Sequence, residues 1–338
     1  MVVSHRRATL RDVAQRAGTT IPTASKVLNG RSDVSDETRT AVLEAVSELG
    51  YVRPAGRSIA DARGDDAFVD LVISGIEGTW ANRALSGVEQ AAVDAGVDLV
   101  VSVARLPDEG WLTRLLARPS RGVVLALVNA SAPQLNALQA AGVPVVLLDP
   151  VSQPPASVSS VGAANWAGAH AAAEHLLGLG HRSLAVIAGR REHLYSQARV
   201  DGFRSAVGMH GDRPVPRVAF ADWKRDRARQ AALELFRTAE PPTGIFACSD
   251  HMALGVYEAA EECGLSIPED VSIVGFDDLP EGEWVRPRLT TVEQPIADMG
   301  SAALRMLLRL RSGSAAGTLR EELSTRLLLR ESTGPATG

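Results

Sequence analysis

From Phe68 onwards, short runs rich in Val, Leu and Ile alternate with stretches that have helical spacing. The apolar runs form two series: residues 68–73, 97–103, 122–128 and 143–148, and then 183–188, 217–220, 244–247 and 271–275. Strands that are apolar on both faces and separated by helices form parallel sheets covered by helices on both sides. Because the total exceeds what one open sheet usually holds, the sequence predicts two α/β lobes.

Polar side chains follow several of these runs. In a sheet of this kind ligands bind beyond the carboxyl ends of the strands. The residues in that position are Asp149, Ser249, Asp250, Asp277 and Asp278. Any one of them can equally cap a following helix. Several at the ends of different strands, with tryptophans nearby, favour a cleft that binds a polar ligand.

The first 50 residues have a different pattern. Leu10, Val13, Ala14 and Ala17 recur at helical spacing, and Gly18 can end that helix. A second helix is predicted to start after Thr20, with Pro22 in its first turn, and a third to follow Ser35. Two short helices joined by a tight turn fit a helix-turn-helix. The spacing is equally compatible with an ordinary helical hairpin.

The charge distribution favours a nucleic-acid partner for this part of the chain. Residues 1–64 carry a net charge of +3 and the remainder −8, within a total of −5. A basic segment on an acidic body suits a head that binds nucleic acid. The two cysteines, the missing signal peptide and the lack of a membrane-length apolar run predict a cytoplasmic protein without a membrane partner.

Several segments resemble the LacI/GalR family of transcriptional regulators. In the head these are Leu10-Arg-Asp-Val-Ala, Ala17-Gly18 and Thr23-Ala-Ser-Lys-Val-Leu-Asn-Gly30. In the body they are Leu176–Arg182, Arg199–Phe203, Ser249–Gly255, Ile267–Asp278 and Leu289–Pro295. The resemblance runs in order from about residue 8 to 333, so the family's fold and function are expected throughout.

The resemblance implies that the second helix enters the major groove of operator DNA. Family members contact bases from positions that match Ile21, Pro22 and Lys26 here. Lys26 can donate to guanine O6 and N7 or to a phosphate, whereas Ile21 and Pro22 can offer only apolar contacts. The other DNA-binding candidates, expected to contact the backbone, are Thr9, Thr20, Thr23, Ser25 and Asn29.

Residues 53–66 are predicted to form the hinge of the family, which wedges an apolar side chain into the minor groove. Ile59, after Arg57 and Ser58, matches the wedge, and Arg57 and Ile59 are DNA-binding candidates. The segment is one residue shorter than the family pattern, and Gly56 disfavours a helix by about 1 kcal/mol relative to Ala. A plain tether is the alternative.

The resemblance also implies a small ligand between the lobes. The residues that match family pocket positions are Asp149, Arg199, Trp223, Ser249 and Asp277. Carboxylates and arginines can bond vicinal hydroxyls and an indole can stack on a pyranose, so a sugar or oligosaccharide is expected. Trp80 and Trp166 are further candidates for the cleft wall, although each tryptophan can instead pack in the core. His193 is a further ligand-binding candidate because it lies in the loop before Arg199.

Together, the features of the sequence predict one architecture. The fold class is α/β, with a three-helix helix-turn-helix head and a two-lobed, periplasmic-binding-protein-like body of parallel sheets flanked by helices. The expected boundaries are head 1–52, hinge 53–66, body 67–333 and tail 334–338, with one lobe at 67–163 and 293–320 and the other at 164–292 and 321–333.

The predicted function is a homodimeric repressor that binds a pseudo-palindromic operator and needs no cofactor. A purine or a protein co-regulator is the alternative to a sugar effector. A secreted solute-binding protein and an enzyme are more remote alternatives, since the chain has a basic head and lacks the sequence motifs of common catalytic sites.

Overall fold

A computed structural model describes residues 9–28, 34–49, 68–104, 110–211, 214–314 and 317–336. The chain divides into two compact units, residues 1–64 and 65–338. Arg57, Ile59 and the rest of the predicted hinge lie outside the described residues, as does Asn29.

The first unit contains three helices, α1 (Leu10–Arg16), α2 (Ile21–Leu28) and α3 (Asp36–Glu48). Side chains cap their amino termini. Thr9 and Asp12 form a reciprocal capping box at α1, with Thr9 N–H donating to Asp12 Oδ2 at 2.7 Å. The Thr20 hydroxyl accepts from Thr23 N–H at 3.3 Å at the start of α2. These contacts satisfy amide groups that a helix leaves free.

The core of this unit consists of small apolar side chains from all three helices. Its buried members are Val13, Ala14, Ala24, Val27, Val42 and Ala45. Alanine at the α1–α2 contact lets two short helices approach closely, while Gly18, with φ of 61°, makes the turn between them. The three-helix head is therefore confirmed.

The second unit contains two sheets. The first has the order β11-β5-β4-β3-β1-β2 and all of its neighbours are parallel. Its strands are β1 (Phe68–Ile73), β2 (Leu99–Val103), β3 (Ser120–Ala126), β4 (Val145–Leu148), β5 (Ser159–Ala163) and β11 (Arg320–Leu323). The helices associated with it are α4 (Thr79–Asp94), α5 (Gly110–Leu116), α6 (Ala132–Ala140) and α12 (Ile296–Arg311).

The second sheet has the order β12-β10-β9-β8-β6-β7, and β12 is antiparallel to β10. Its strands are β6 (Leu184–Ala188), β7 (Arg217–Phe220), β8 (Gly244–Ala247), β9 (Ser272–Asp277), β10 (Thr290–Glu293) and β12 (Arg326–Leu328). Its helices are α7 (Asn165–Gly178), α8 (Leu194–Met209), α9 (Arg225–Phe236), α10 (Asp250–Glu262) and the short α11 (Glu281–Trp284).

Helices cover both faces of each sheet. In the first lobe one apolar cluster lies under α4 and α12, and a second lies under α5 and α6. Pairs of helices approach closely at glycines: a Cβ on Gly87 of α4 would lie 1.8 Å from the Ala297 carbonyl oxygen on α12. The predicted two-lobed α/β body is confirmed.

The chain crosses between the two sheets three times, after β5, after β10 and after β11. The last crossing falls at Ser324 and Thr325, a few residues beyond the boundary of 320 expected from the sequence, because Arg320–Leu323 pairs with β5. Leu279 also connects the two lobes. It follows β9 of the second sheet, but its side chain is buried in the apolar core of the first lobe.

The predicted tail packs on the second lobe as far as Ala336. Ala336 N–H donates to the Leu179 carbonyl at 2.9 Å. The buried His181 ring contacts Thr243, Ser272 and the Gly334 carbonyl at 2.9–3.1 Å. His181 is therefore a structural residue. No helix in the described ranges is long and apolar enough to cross a membrane.

Candidate functional site

The carboxyl ends of three strands present polar or aromatic side chains from a strained backbone. Asp149 follows β4, Asp277 ends β9 and Trp223 follows β7, with φ of 49°, 112° and 64°. Residues other than glycine rarely adopt positive φ, and such strain concentrates at functional sites. The lobes therefore hold these three side chains in orientations that an ordinary strand end would not give.

Arg199, on α8, is the centre of the buried polar cluster. Its Nε donates to Asn165 Oδ1 at 2.8 Å, and Nη1 donates to the Cys248 carbonyl at 2.5 Å and to Asp277 Oδ1 at 3.3 Å. Nη2 donates to Gln294 Oε1 at 3.3 Å. A guanidinium that is only 2% exposed requires such partners, because an unpaired buried charge is costly.

Gln294 links the two lobes through this cluster. It follows β10, at the second crossing between sheets, and its Oε1 also accepts from Trp80 Nε1 at 3.3 Å. Its side chain hydrogen-bonds Asp149 as well. Residues of both lobes therefore share one network with the Arg199 guanidinium.

Burial controls the charge of the two carboxyl groups. It raises the pKa of Asp149 to about 6, opposed by Arg199, and raises the pKa of Asp277 to about 7, again opposed by Arg199. Asp149 further raises the pKa of Asp277 because the two carboxylates repel each other. Both groups consequently titrate close to neutral pH.

Aromatic rings surround the guanidinium. The Arg199 Cζ lies 3.6 Å from the centroid of the Phe276 ring and 5.8–5.9 Å from those of Trp223 and Tyr195. Tyr195 and Trp223 lie with their centroids 5.2 Å apart. His193 stands beside both, and its Nδ1 accepts from Trp223 Nε1 at 3.0 Å. The cluster therefore joins a cation, two carboxyl groups and an aromatic wall.

The sequence-predicted cleft residues have different positions relative to this cluster. Asp149, Arg199, Trp223 and Asp277 belong to it, His193 adjoins it through Trp223, and Trp80 joins it through Gln294. Trp166 is 46% exposed and stacks on His170 at 5.0 Å. The buried Ser249 caps α10, since its hydroxyl accepts from Met252 N–H at 3.2 Å.

Sequence reasoning missed Asn165 and Gln294. Asn165 begins α7, with one residue between it and the end of β5, and directly precedes Trp166, and Gln294 lies within the family-like segment Leu289–Pro295. A neutral polar side chain at a strand end was the available signal for both. Among the described residues, no cluster of His, Cys, Asp and Glu is arranged to hold a metal ion.

Several of the DNA-binding candidates in the described part of the head have exposed side chains. Thr9, Thr20, Pro22 and Lys26 are exposed, and Ile21 is 40% exposed although it is apolar. Thr23 is half-buried and lies on α2 with Ile21 and Lys26. Along α2 and at its amino-terminal cap the exposed side chains thus include a hydroxyl, two apolar groups and a cation, which suits entry into a DNA groove.

Comparisons with known families match both units. Residues 9–54 match the model of bacterial regulatory proteins of the lacI family, and residues 173–333 match the periplasmic binding protein-like domain. The ribose operon repressor of Halalkalibacterium halodurans is 33% identical over 325 residues, covering 96% of this chain and 97% of the relative. The chain belongs to the LacI family. It is a DNA-binding transcriptional regulator and not an enzyme.

Solved structures of family members are similar over nearly the whole chain. The transcriptional regulator CelR in complex with cellobiose has a TM-score of 0.73 and 32% identity, covering 96% of this chain and 100% of CelR. The lac repressor dimer bound to operator and the anti-inducer ONPF has a TM-score of 0.72 and 27% identity, covering 97% and 100%. One similar structure thus holds a disaccharide and the other holds DNA.

Proposed function

We propose that this protein is a repressor whose dimer binds a pseudo-palindromic operator and is switched by a sugar or oligosaccharide between the lobes. The observation that carries the effector assignment is the convergence of Asp149, Asp277, Arg199 and Trp223 on one buried cluster. The sugar-bound CelR structure and the ribose operon repressor support the same ligand class.

The chemistry of the cluster suits polyhydroxylated ligands. Two carboxylates and a guanidinium offer acceptors and donors to neighbouring hydroxyl groups. The Trp223 indole offers an apolar face to the C–H groups of a pyranose ring. A site built to hydrogen-bond hydroxyls rejects analogues that lack them, because its own buried groups then stay unpaired.

The head supplies operator binding. The two-fold symmetry of a dimer matches two half-sites of a palindromic operator. Lys26 is the one DNA-binding candidate in α2 that can donate a strong hydrogen bond to guanine, while Ile21 and Pro22 contact thymine methyl groups. Thr9, Thr20, Thr23, Ser25 and Asn29 position the head on the phosphates, and the hinge with Arg57 and Ile59 contacts the minor groove.

Switching requires the sugar to prefer one arrangement of the lobes. Gln294 contacts Trp80 of the first lobe and Arg199 of the second, so a ligand that engages Arg199 acts on both lobes. A change in their relative orientation alters the spacing of the two heads in the dimer. The sugar thereby lowers operator affinity.

The test is a selection of bound sequences from random double-stranded DNA by the full-length protein, with and without a panel of mono- and oligosaccharides. The expected result is one enriched pseudo-palindrome whose enrichment falls with one class of sugar. Calorimetry with the same sugars and with nucleobases separates the effectors. Binding of a nucleobase, with no sugar bound, would overturn the sugar assignment and leave the DNA-binding function intact.

A further inference from the structure

His193 receives two hydrogen bonds at a single nitrogen. Trp223 Nε1 lies 3.0 Å from His193 Nδ1, and the Tyr195 hydroxyl oxygen lies 2.9 Å from the same atom. An indole N–H can only donate, so Nδ1 carries no proton and presents its lone pair. The Tyr195 hydroxyl therefore donates too, and the imidazole proton is on Nε2.

The position of the Trp223 indole depends on this hydrogen bond and on the packing of the ring against Gly189. Trp223 has a φ of 64°, and a Cβ on Gly189 would lie 2.0 Å from the six-membered ring of the indole. The ring thus lies against the Gly189 backbone with one face, while the His193 ring lies at its N–H edge, with the two centroids 6.2 Å apart and the two planes inclined by 26°. The polar edge of the indole is fixed by the His193 lone pair.

We propose that His193 is a positioning residue for the effector cleft: through its neutral imidazole it holds the Trp223 indole in the plane on which a sugar ring stacks. This inference rests on the proposed sugar-binding function. His193 acts through Trp223 and need not touch the sugar itself.

A proton on Nδ1 would place a donor opposite the indole N–H and break that bond. Burial lowers the pKa of His193 below its usual 6.5; Arg190 acts in the same direction, whereas Glu192 and Asp222 oppose it. Burial also raises the pKa of Tyr195, so the phenol keeps its proton. The other charged groups near the aromatic cluster are Arg199, Asp149 and Asp277. Above pH 7 the imidazole is neutral and the indole is held.

The first test needs no ligand. Protein labelled with 15N at tryptophan gives one indole N–H resonance for each of its five tryptophans, and Trp223→Phe assigns one of them. We expect the Trp223 resonance to move as His193 titrates in acid, and to lose that dependence in His193→Asn, whose amide oxygen accepts in place of Nδ1. A Trp223 resonance unchanged between wild type and His193→Ala would overturn the proposal, whether or not a sugar binds.

The second test measures sugar affinity at pH 8 by calorimetry, with circular dichroism and thermal unfolding as checks on folding. We expect His193→Ala to weaken sugar binding about fivefold to tenfold, the effect of losing one hydrogen bond. His193→Asn should keep the wild-type sugar affinity, because its amide oxygen still accepts from the indole. In a Trp223→Phe background, His193→Ala should then cost less than twofold. An equal loss in both backgrounds would show that His193 contacts the sugar directly and would overturn the positioning role.

The two tests also separate this inference from the proposed function. If the Trp223 resonance responds to the titration and substitution of His193, and no sugar of the panel binds the wild type, the sugar assignment fails while the hydrogen bond that holds the indole stands. If a sugar binds and the resonance ignores His193, the positioning role fails and the sugar assignment stands.

Discussion

Sugar binding should release protons, because an ionised carboxylate accepts hydrogen bonds from hydroxyls at both oxygens and more strongly than a protonated carboxyl group does. The pKa of Asp149 is about 6 and that of Asp277 about 7. If both are fully ionised in the complex, about 0.6 proton is released per site at pH 7. By the same relation the affinity should rise about 20-fold between pH 6 and pH 8.

Titration calorimetry in two buffers of different ionisation enthalpy measures this release directly. The matched variant is Asp277→Asn, which keeps the shape of the side chain and leaves only Asp149 to titrate. Its affinity is expected to change about twofold over the same pH range, whatever its absolute value. A wild-type affinity that is flat from pH 6 to pH 8, with no proton exchange, would refute the reasoning about burial and charge.

Three further predictions concern separate parts of the molecule. Lys26→Ala should lower the ratio of operator to random-DNA affinity in electrophoretic shift assays, by the roughly 1–3 kcal/mol of one base contact; a uniform loss would make it a phosphate contact. Gly189→Ala should abolish sugar binding in calorimetry, since its Cβ would lie 2.0 Å from Trp223, but retain operator binding. Because the pKa of Asp277 is raised to about 7 in the folded state, its contribution to stability is fully present below its unfolded pKa and is lost as pH rises through 7. From pH 5 to pH 8, the free energy of unfolding measured with urea should therefore fall less for Asp277→Asn than for the ligand-free wild type.

The strand-and-helix alternation was the most informative part of the sequence. The apolar runs at 68–73, 217–220 and 244–247 match β1, β7 and β8, because a strand buried on both faces needs continuous apolar residues. The strands that were not predicted are β5, β10, β11 and β12, which carry Ser, Thr, Glu or Arg. β11 and β12 lie at sheet edges, where one side of the strand needs no apolar partner.

The candidate site was predictable where charge or ring size drew attention. Asp149, Arg199 and Asp277 stood out as ionisable residues within apolar or family-like segments, and they lie in the buried cluster. Asn165 and Gln294 carry no charge, and their role depends on the Arg199 guanidinium reaching them from a helix 34 or more residues away in sequence. Periodicity contains no information about such long-range pairs.

Backbone conformation was the other missing element. Asp adopts a positive φ more often than most residues, but the residue types alone do not single out Asp149, Asp277 and Trp223, because this conformation is imposed by the strand ends and the packing around them. The partners of His193 follow from the same strained turn, which brings the Trp223 indole over Gly189. The sequence suggested that His193 lies near the cleft but not how it acts.

The most direct test of the account is the affinity of the full-length dimer for its selected operator, with and without the sugar that binds the body. The wild type should lose operator affinity at least tenfold at saturating sugar, a coupling of about 1.4 kcal/mol. Asp277→Ala, tested in parallel, should bind the operator as tightly as the wild type, and its operator affinity should not change when the sugar is added. A wild-type operator affinity unchanged by every sugar that binds the body would contradict the central claim.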